Sequence, residues 1–321
     1  MESEIALGVI AVVLGALGAF LVCRIGWRLG LVDLPSARSS HSQATPKGGG
    51  VGMVTVFLVA AVCLRLPIAF WLPLGLLAGL SLRGDQVEIS PKLRLPIQFI
   101  LVGIMVIVTG RGIEQGLLGI LILLFWIVFI VWTANFYNFM DGINGIAGIS
   151  GVVGFGLLAF ATHKDRPEVG LLATCMALAC LGFLPFNLPR ARVFMGDVGS
   201  ILLGGVFAGL VYLASHTLLD FLCMTSFLFP FYVDELTTMI IRLRVGEDLT
   251  QPHRRHIYQL LANEWQIPHW RISASYGLFQ LLVGVSVLTG KSHGVAMVLA
   301  VLASWFGLFV GGSYYLRKKE F

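Results

Sequence analysis

The sequence predicts an all-α protein that crosses a membrane many times. Of its 321 residues, 57% are hydrophobic and only 12% are charged, and the mean hydropathy is +0.88. This composition excludes a soluble globular protein. Two patterns support the fold class: long apolar runs recur along the chain, and Lys and Arg concentrate in alternate connections between them. The eleven predicted helices lie near 5–23, 48–66, 68–82, 95–110, 117–134, 147–162, 169–185, 200–218, 220–241, 272–289 and 294–316.

The basic residues predict the orientation of these helices. If eleven spans begin outside the membrane, 17 of the 22 Lys and Arg residues fall in the cytoplasm, as the positive-inside rule expects. The first run follows Glu2 and Glu4 and precedes Arg24 and Arg28, which favours a retained helix with a periplasmic N-terminus over a signal peptide. The C-terminus is then cytoplasmic. We predict one domain, residues 1–321, with active-site loops near 24–47, 83–94, 135–146, 186–199 and 242–271.

The strongest functional signal is a polar stretch directly after the apolar run 117–134. Asn138, Asp141 and Asn144 are three residues apart, so on a helix their oxygens would fan over one side and could hold a hard cation. Glycines repeat the same spacing and would let a ligand phosphate come close. The alternative is a turn, because Asp-Gly and Asn-Gly are turn signals. The extra asparagines and the glycine spacing favour a ligand site.

Two other cytoplasmic loops combine glycines with charged groups. In the first, a glycine run opens a helix beside Arg38, His41 and Lys47, which predicts a phosphate cradle. An ordinary loop rich in Pro, Gly and basic residues is the alternative. In the loop 186–199, Asp197 lies between glycines before a helix start, where backbone N–H groups and a carboxylate suit a metal–phosphate pair. The alternative for Asp197 is an N-cap.

Ionisable residues in the last third of the chain form another group. Asp234 and Glu235 lie inside an apolar segment, where charged groups are functional or paired, and Arg242 is the predicted partner. The loop that follows carries enough hydrogen-bond donors to hold a diphosphate. Lipid-headgroup attraction and a zinc site are the alternatives, and zinc is disfavoured because no cysteine or third histidine follows at a suitable spacing. The donors are His253, Arg254, Arg255 and His256.

In this order, the motifs resemble those of the polyprenyl-phosphate N-acetylhexosamine-1-phosphate transferases, glycosyltransferase family 4. That family includes the undecaprenyl-phosphate GlcNAc-1-phosphate transferases of O-antigen synthesis and the phospho-MurNAc-pentapeptide transferase of peptidoglycan synthesis. The histidine motif is similar to that of the O-antigen branch. There are two departures: Asn144 stands where many members have aspartate, and Gly84 replaces the first aspartate of an adjacent pair, leaving Asp85. The matching segments are 33–49, 90–94, 138–145, 186–200 and 253–259.

The resemblance implies transfer of a sugar-1-phosphate from a UDP-N-acetylhexosamine to undecaprenyl phosphate, with release of UMP, to begin a lipid-linked surface glycan such as O-antigen. It implies a bacterial inner-membrane enzyme with a cytoplasmic active site, which needs Mg²⁺ or, in its place, Mn²⁺. Membrane lipids are expected partners, nucleic acid is not, and a homodimer is left open. A catalytically impaired relative, because of Gly84, and a transporter of an anionic substrate are the alternatives.

The roles implied for single residues follow from the same resemblance. Asp197 and Asp141 would bind the metal, and Asp85 would activate the lipid phosphate. The remaining residues would bind substrate: Asn138 and Asn144 the nucleotide or metal-bound waters, His253, Arg254 and His256 the donor diphosphate, and Lys47 and Arg38 the lipid phosphate. Asn187 and His41 are also expected to bind substrate, with no finer role.

Overall fold

The computed structural model describes residues 2–35, 40–87, 89–110, 116–248 and 253–318. Within these ranges the chain forms thirteen α-helices and one small antiparallel sheet, in which β1 (Val32–Asp33) pairs with β2 (Thr45–Pro46). The helices are α1 (Glu2–Ile25), α2 (Val51–Cys63), α3 (Ile68–Gln86), α4 (Pro91–Thr109), α5 (Leu117–Phe139), α6 (Ile146–Thr162), α7 (Pro167–Asn187), α8 (Asp197–Ala214), α9 (Leu218–Thr225), α10 (Phe229–Arg244), α11 (Ile257–Asn263), α12 (His269–Gly290) and α13 (Val295–Lys318).

The helical membrane architecture is confirmed, whereas the number of crossings stays a prediction. Seven helices in the described part are long and apolar enough to span a bilayer, namely α1, α4, α5, α7, α8, α12 and α13. Two shorter apolar helices, α2 and α6, correspond to further predicted runs. The predicted run 220–241 is broken into α9 and α10 by a short 3₁₀ segment and Pro230, since proline cannot supply a helical N–H.

Helix α8 is the centre of the bundle, and almost all of it is buried. Glycines allow its neighbours to approach: an ideal Cβ at Gly204 would lie 2.6 Å from the Thr133 carbonyl oxygen of α5, and one at Gly209 would lie 3.0 Å from the Phe70 ring of α3. Close backbone contact of this kind drives association where lipid removes the hydrophobic effect between helices. Helix α13 lies at the periphery with very little buried surface.

The polar loops meet on one face of the bundle. The backbone N–H groups of Gly49 and Gly50 donate to the carbonyls of Phe194 and Met195 at 2.9 Å, which joins the start of α2 to the start of α8. Arg317, near the end of α13, donates to the Arg255 carbonyl at 2.7 Å, so the last helix also ends on this face. The compartment that this face meets stays a prediction.

Candidate active site

A cavity of about 780 Å³ opens among the helix ends on the polar face. It brings together most of the predicted site residues, although they lie on five separate loops. Arg254 is not among the lining residues, and Arg38 lies outside the described residues. The predicted residues that line it are Asp85, Asp141, Asp197, Lys47, His41, Asn138, Asn144, Asn187, His253 and His256.

Asp197 presents its carboxylate to the cavity from the first residue of α8. The N-cap interpretation is wrong, because Gly196 occupies the cap position with φ 77°. The Asp197 carboxylate accepts a 2.9 Å hydrogen bond from Asn138 Nδ2 and forms an ion pair with Arg94. Asn138 also donates to Ser200 Oγ at 2.8 Å, so the end of α5 is locked against the start of α8.

Asp85 caps the N-terminus of α8, although it lies 112 residues before Asp197 in the chain. Its two carboxylate oxygens accept from the backbone N–H groups of Asp197 and Val198, each at 3.1 Å. An anion at this point complements the positive end of the α8 dipole. The side chain is only 5% exposed. Burial, followed by the charge of Asp197, raises the pKa of Asp85 to about 7, although Lys47 and the two amides oppose the shift. Asp85 therefore both orients Asp197 and titrates near neutral pH.

Asp141 lies in a turn and not on a helix. Helix α5 ends at Phe139, and Gly145, with φ 85°, begins α6, so the predicted helical side over 138–144 is wrong beyond Phe139. The turn signals were correct, yet the turn still directs Asp141 and Asn144 into the cavity. Burial, with the charges of Asp197 and Asp85, raises the pKa of Asp141 well above its ordinary value.

The three aspartates fit a magnesium ion better than zinc. Among the described residues, no three His, Cys, Asp or Glu side chains are close enough together to form a preassembled metal site. Mg²⁺ does not need one, since one or two carboxylates with waters and substrate phosphates are its usual ligands. Burial is the main reason that the pKa values of Asp85 and Asp141 are raised, and repulsion between the aspartates adds to the rise; a cation would offset this excess negative charge. Asp197 would exchange its Arg94 contact for that cation.

The glycine run near Lys47 is not a phosphate cradle. Its amides at Gly49 and Gly50 donate to carbonyls of the loop before α8, so they are not available to an anion. An ideal Cβ at Gly50 would lie 2.3 Å from Gly199 Cα, which shows that the glycine serves close helix packing. Lys47 itself still lines the cavity, as does His41, whose ring lies 4.8 Å from the Phe194 ring.

Asn187 lines the cavity and also joins two loops. Its Oδ1 accepts from the backbone N–H of Gly145, and its Nδ2 donates to the Val193 carbonyl at 2.9 Å. These bonds tie the turn before α6 to the loop before α8. Asn144 is more open, since its side chain makes only a long 3.4 Å bond to the Pro189 carbonyl. Asn144 can therefore turn toward a ligand, whereas Asn187 cannot without breaking this tie.

The two histidines of the last loop differ in what they can do. His256 lies between two buried carboxylates, with Nδ1 3.7 Å from Asp234 and Nε2 3.3 Å from Glu235, so neither nitrogen is directed at a phosphate. His253 lines the cavity, and burial, followed by the charges of His256 and Arg242, lowers its pKa to about 4. It is neutral at pH 7. Arg242 forms its ion pair with Glu247, a partner that the sequence analysis did not name.

The sequence analysis missed several residues that line the cavity. Arg94 and His269 add polar groups, and Asn135 donates to Gln98 Oε1 at 2.7 Å on the wall between α4 and α5. Apolar side chains form another part of this wall: Leu95, Trp132, Phe136 and Phe139. Three of them are also widely exposed on the bundle surface, which places an apolar entrance beside the charged groups. Among these residues, Arg94 had a sequence signal as part of the charged segment 90–94, and Asn135 had one as the first asparagine of the polar stretch after the run 117–134.

Comparison with known proteins agrees with this arrangement. The model of glycosyl transferase family 4 matches residues 67–215, which include all three aspartates. An undecaprenyl-phosphate α-N-acetylglucosaminyl 1-phosphate transferase of Pasteurella multocida is 33% identical over 281 residues, or 79% of this chain and 78% of the relative. The chain belongs to glycosyl transferase family 4.

Other members of the family match a shorter part of the chain. Phospho-N-acetylmuramoyl-pentapeptide-transferases of Staphylococcus epidermidis and Staphylococcus saprophyticus are both 32% identical, over 141 and 145 residues. These alignments span 43% of each staphylococcal relative and about two fifths of this chain. The site residues of this family 4 protein thus lie partly inside and partly beyond the region that all these relatives share.

Proposed function

We propose that this family 4 protein transfers N-acetylhexosamine-1-phosphate from a UDP-N-acetylhexosamine to undecaprenyl phosphate, and that UMP is released. The observation that carries the proposal is the cavity, in which Asp85, Asp141 and Asp197 meet cationic groups and an apolar wall at the ends of membrane helices. A charged nucleotide sugar needs an aqueous site and an isoprenoid needs a bilayer, so the reaction requires such a boundary. The name and long match of the Pasteurella relative favour GlcNAc as the sugar.

The lipid acceptor fits the apolar wall between α4 and α5. Leu95, Trp132 and Phe139 line the cavity and are also exposed toward the surrounding bilayer, so a lipid chain could pass them without leaving apolar surroundings. Lys47 lies in the same cavity and supplies a positive charge for the lipid phosphate. The phosphate monoester, with a second pKa of about 6, is already largely ionised near neutral pH.

In the reaction, an oxygen of the lipid phosphate attacks the β-phosphorus of the donor. A new P–O bond forms there, the bond to the oxygen that bridges the two phosphorus atoms breaks, and that oxygen leaves with UMP. We assign Asp141 and Asp197 to hold Mg²⁺, or Mn²⁺ in its place, and the bound cation would neutralise the phosphate oxygens. Arg94, released from Asp197, can form a charge-assisted contact to the donor diphosphate.

Asp85 has two roles in this proposal. It holds the start of α8, and so the position of Asp197, through its two bonds to backbone amides. With a pKa of about 7 it also accepts the remaining proton of an acceptor phosphate that arrives protonated. His253, neutral at pH 7, donates or accepts a hydrogen bond at the donor without adding charge.

The Gly84 departure does not block the proposal on steric grounds. An ideal Cβ at Gly84 has no neighbour nearer than Ile89 Cδ1 at 4.0 Å, so the missing carboxylate leaves open space and no collapsed packing. The site functions in this proposal with Asp85 alone. A reduced rate, compared with a member that carries both aspartates, is the consequence we expect because one negative charge that attracts a cation is absent.

The experiment is an assay with purified protein, undecaprenyl phosphate and a panel of radiolabelled UDP-N-acetylhexosamines, with Mg²⁺, with Mn²⁺ and with chelator. Formation of labelled lipid together with UMP, dependent on the divalent cation, supports the proposal. An absence of both products with every donor overturns it. Movement of an intact nucleotide sugar into proteoliposomes, without UMP, would instead establish the transporter alternative.

We further propose that the enzyme lies in the bacterial inner membrane with the cavity on the cytoplasmic side, where it begins a surface glycan such as O-antigen. Nucleotide sugars are cytoplasmic metabolites, and 17 of the 22 Lys and Arg residues lie in the segments that the eleven-span topology places in the cytoplasm. Labelling of the protein in sealed spheroplasts tests this orientation. Modification of cavity-face residues from the periplasmic side would contradict it.

A further inference from the structure

The segment 253–259, here called the histidine loop, is fixed by a buried carboxylate on a neighbouring helix. Asp234 of α10 is fully buried and is not among the residues that line the cavity. Its two oxygens accept from the backbone N–H of Ile257, at 3.0 and 3.1 Å. A buried carboxylate requires such donors, so the start of α11 is bound to α10 at this point.

Asp234 is in turn held from α12 and from its own helix. The Tyr276 hydroxyl donates to Asp234 Oδ2 at 2.7 Å, and Thr238 Oγ1 donates to Oδ1 at 3.2 Å. Tyr276 and Thr238, which do not line the cavity, thus help to fix the orientation of this carboxylate, in addition to His256. The packing of α10 against α12 therefore fixes the position of the histidine loop.

Arg317 of α13 contacts the histidine loop at Arg255, two residues before Ile257. Its Nη2 donates to the Arg255 carbonyl at 2.7 Å, and it lies 3.4 Å from Thr238 Oγ1. Most of α13 is exposed, and this contact joins its C-terminal end to the histidine loop. Arg317 lies well beyond residues 67–215, which the family model matches.

These contacts orient the part of the loop that reaches the cavity. The His256 ring lies between Asp234 and Glu235 and is 4.7 Å from the ring of His253, which faces the cavity. The hydroxyl of Tyr258, two residues after His256, donates to the Phe139 carbonyl at 2.9 Å, beside the turn that carries Asp141. A shift of the histidine loop would therefore move His253 relative to the aspartates.

We propose that Asp234, Tyr276 and Arg317 form a clamp that positions the histidine loop for the donor diphosphate. None of the three touches the substrate, so they are positioning residues. The donor side of this inference rests on the proposed function, while the clamp itself is a property of the fold.

Kinetics with the single variants Tyr276→Phe and Arg317→Ala test the clamp. Tyr276→Phe removes the hydrogen bond to Asp234, and Arg317→Ala removes those to the Arg255 carbonyl, Thr238 and Ser313. For each variant we expect the KM for the UDP-sugar to rise about tenfold, with the KM for undecaprenyl phosphate unchanged. Arg317→Lys should restore part of the donor affinity. The matched controls are Tyr212→Phe, another buried tyrosine hydroxyl that bonds to Thr109, and Lys318→Ala, the neighbouring exposed charge.

Hydrogen exchange separates failure of the clamp from failure of the proposed function. In Tyr276→Phe and Arg317→Ala, the amides of residues 255–259 should exchange about tenfold faster than in the wild type, and the controls should not change them. This result stands even if no donor is turned over. Unchanged exchange and an unchanged donor KM in both variants overturn the clamp. A fall in the amount of folded protein with wild-type kinetics also overturns it, because the residues would then serve stability alone.

Discussion

Replacing Asp85 by asparagine should remove the pH dependence that this residue gives to folding stability, and it should also remove activity. Asparagine keeps one oxygen toward the amides at the start of α8 but presents its NH2 group to the other amide, so it loses one of the two hydrogen bonds. It cannot ionise. The wild-type protein must hold a carboxylate that burial and the charge of Asp197 disfavour, so the two proteins should differ most where that carboxylate is charged.

The magnitude follows from the pKa of Asp85, raised from the ordinary value of 3.8 to about 7. Between these values the folded protein keeps the proton and the unfolded chain has lost it, so folding stability falls as pH rises through this window and is constant above it. The two pKa values differ by about 3, and a difference of 1 corresponds to about 1.4 kcal/mol, so ionisation of Asp85 lowers the free energy of unfolding by about 4 kcal/mol above pH 7. The variant does not have this cost.

Thermal unfolding in detergent, with chelator present, should therefore show that the free energy of unfolding of the variant rises relative to that of the wild type between pH 5 and pH 8. The gain over this narrower window should be about 2 to 3 kcal/mol, since part of the loss already occurs below pH 5. Sugar-phosphate transfer should fall by more than about a hundredfold in the same variant. Asp165→Asn, at an exposed carboxylate, is the control. A stability difference that does not change with pH would refute the reasoning.

Four further predictions concern the metal, the donor, Gly84 and the topology. Asp197→Asn should reduce turnover by orders of magnitude with folding intact, and near-normal turnover at all Mg²⁺ concentrations would remove Asp197 from the metal site. His253→Ala should raise the KM for the UDP-sugar and leave that for the lipid unchanged; a selective loss of lipid affinity would assign His253 to the acceptor. Gly84→Asp, which has space for its side chain, should increase turnover and lower the Mg²⁺ concentration required, whereas no change would exclude a metal role for this position. Reporter fusions after Lys291 should be periplasmic and fusions after residue 321 cytoplasmic, and the reverse pattern at either point contradicts eleven spans.

The local sequence pattern was sufficient to predict the structure where a residue type has a single structural or functional role. The apolar runs identified every long helix because membrane spans require sustained hydrophobicity. Charged and carboxamide residues next to those runs identified Asn138, Asp141 and Asp197, since such groups are costly near a bilayer unless they have a function. Asp85 was indicated only by the resemblance of the motifs. The resemblance of the motifs indicated the family that the Pasteurella relative then established.

Local pattern failed where the same residues serve two purposes. The glycines near Lys47 fit a phosphate cradle by sequence, but their amides bond to the loop before α8. Asn187 was predicted to bind substrate and does line the cavity, but it also ties two loops together, which no local pattern indicated. The local sequence around the glycine run and around Asn187 would be the same in either role. Which role applies depends on the partner that the fold brings beside them.

By itself, the sequence determined the membrane class, the helices and the chemical character of the site, because hydrophobicity and charge act locally. The tertiary structure decided which of those groups act together. The amides that hold Asp85 lie more than a hundred residues away, and the Arg317 contact to the histidine loop spans 62 residues. Contacts across such separations depend on how whole helices pack, which no window of sequence encodes.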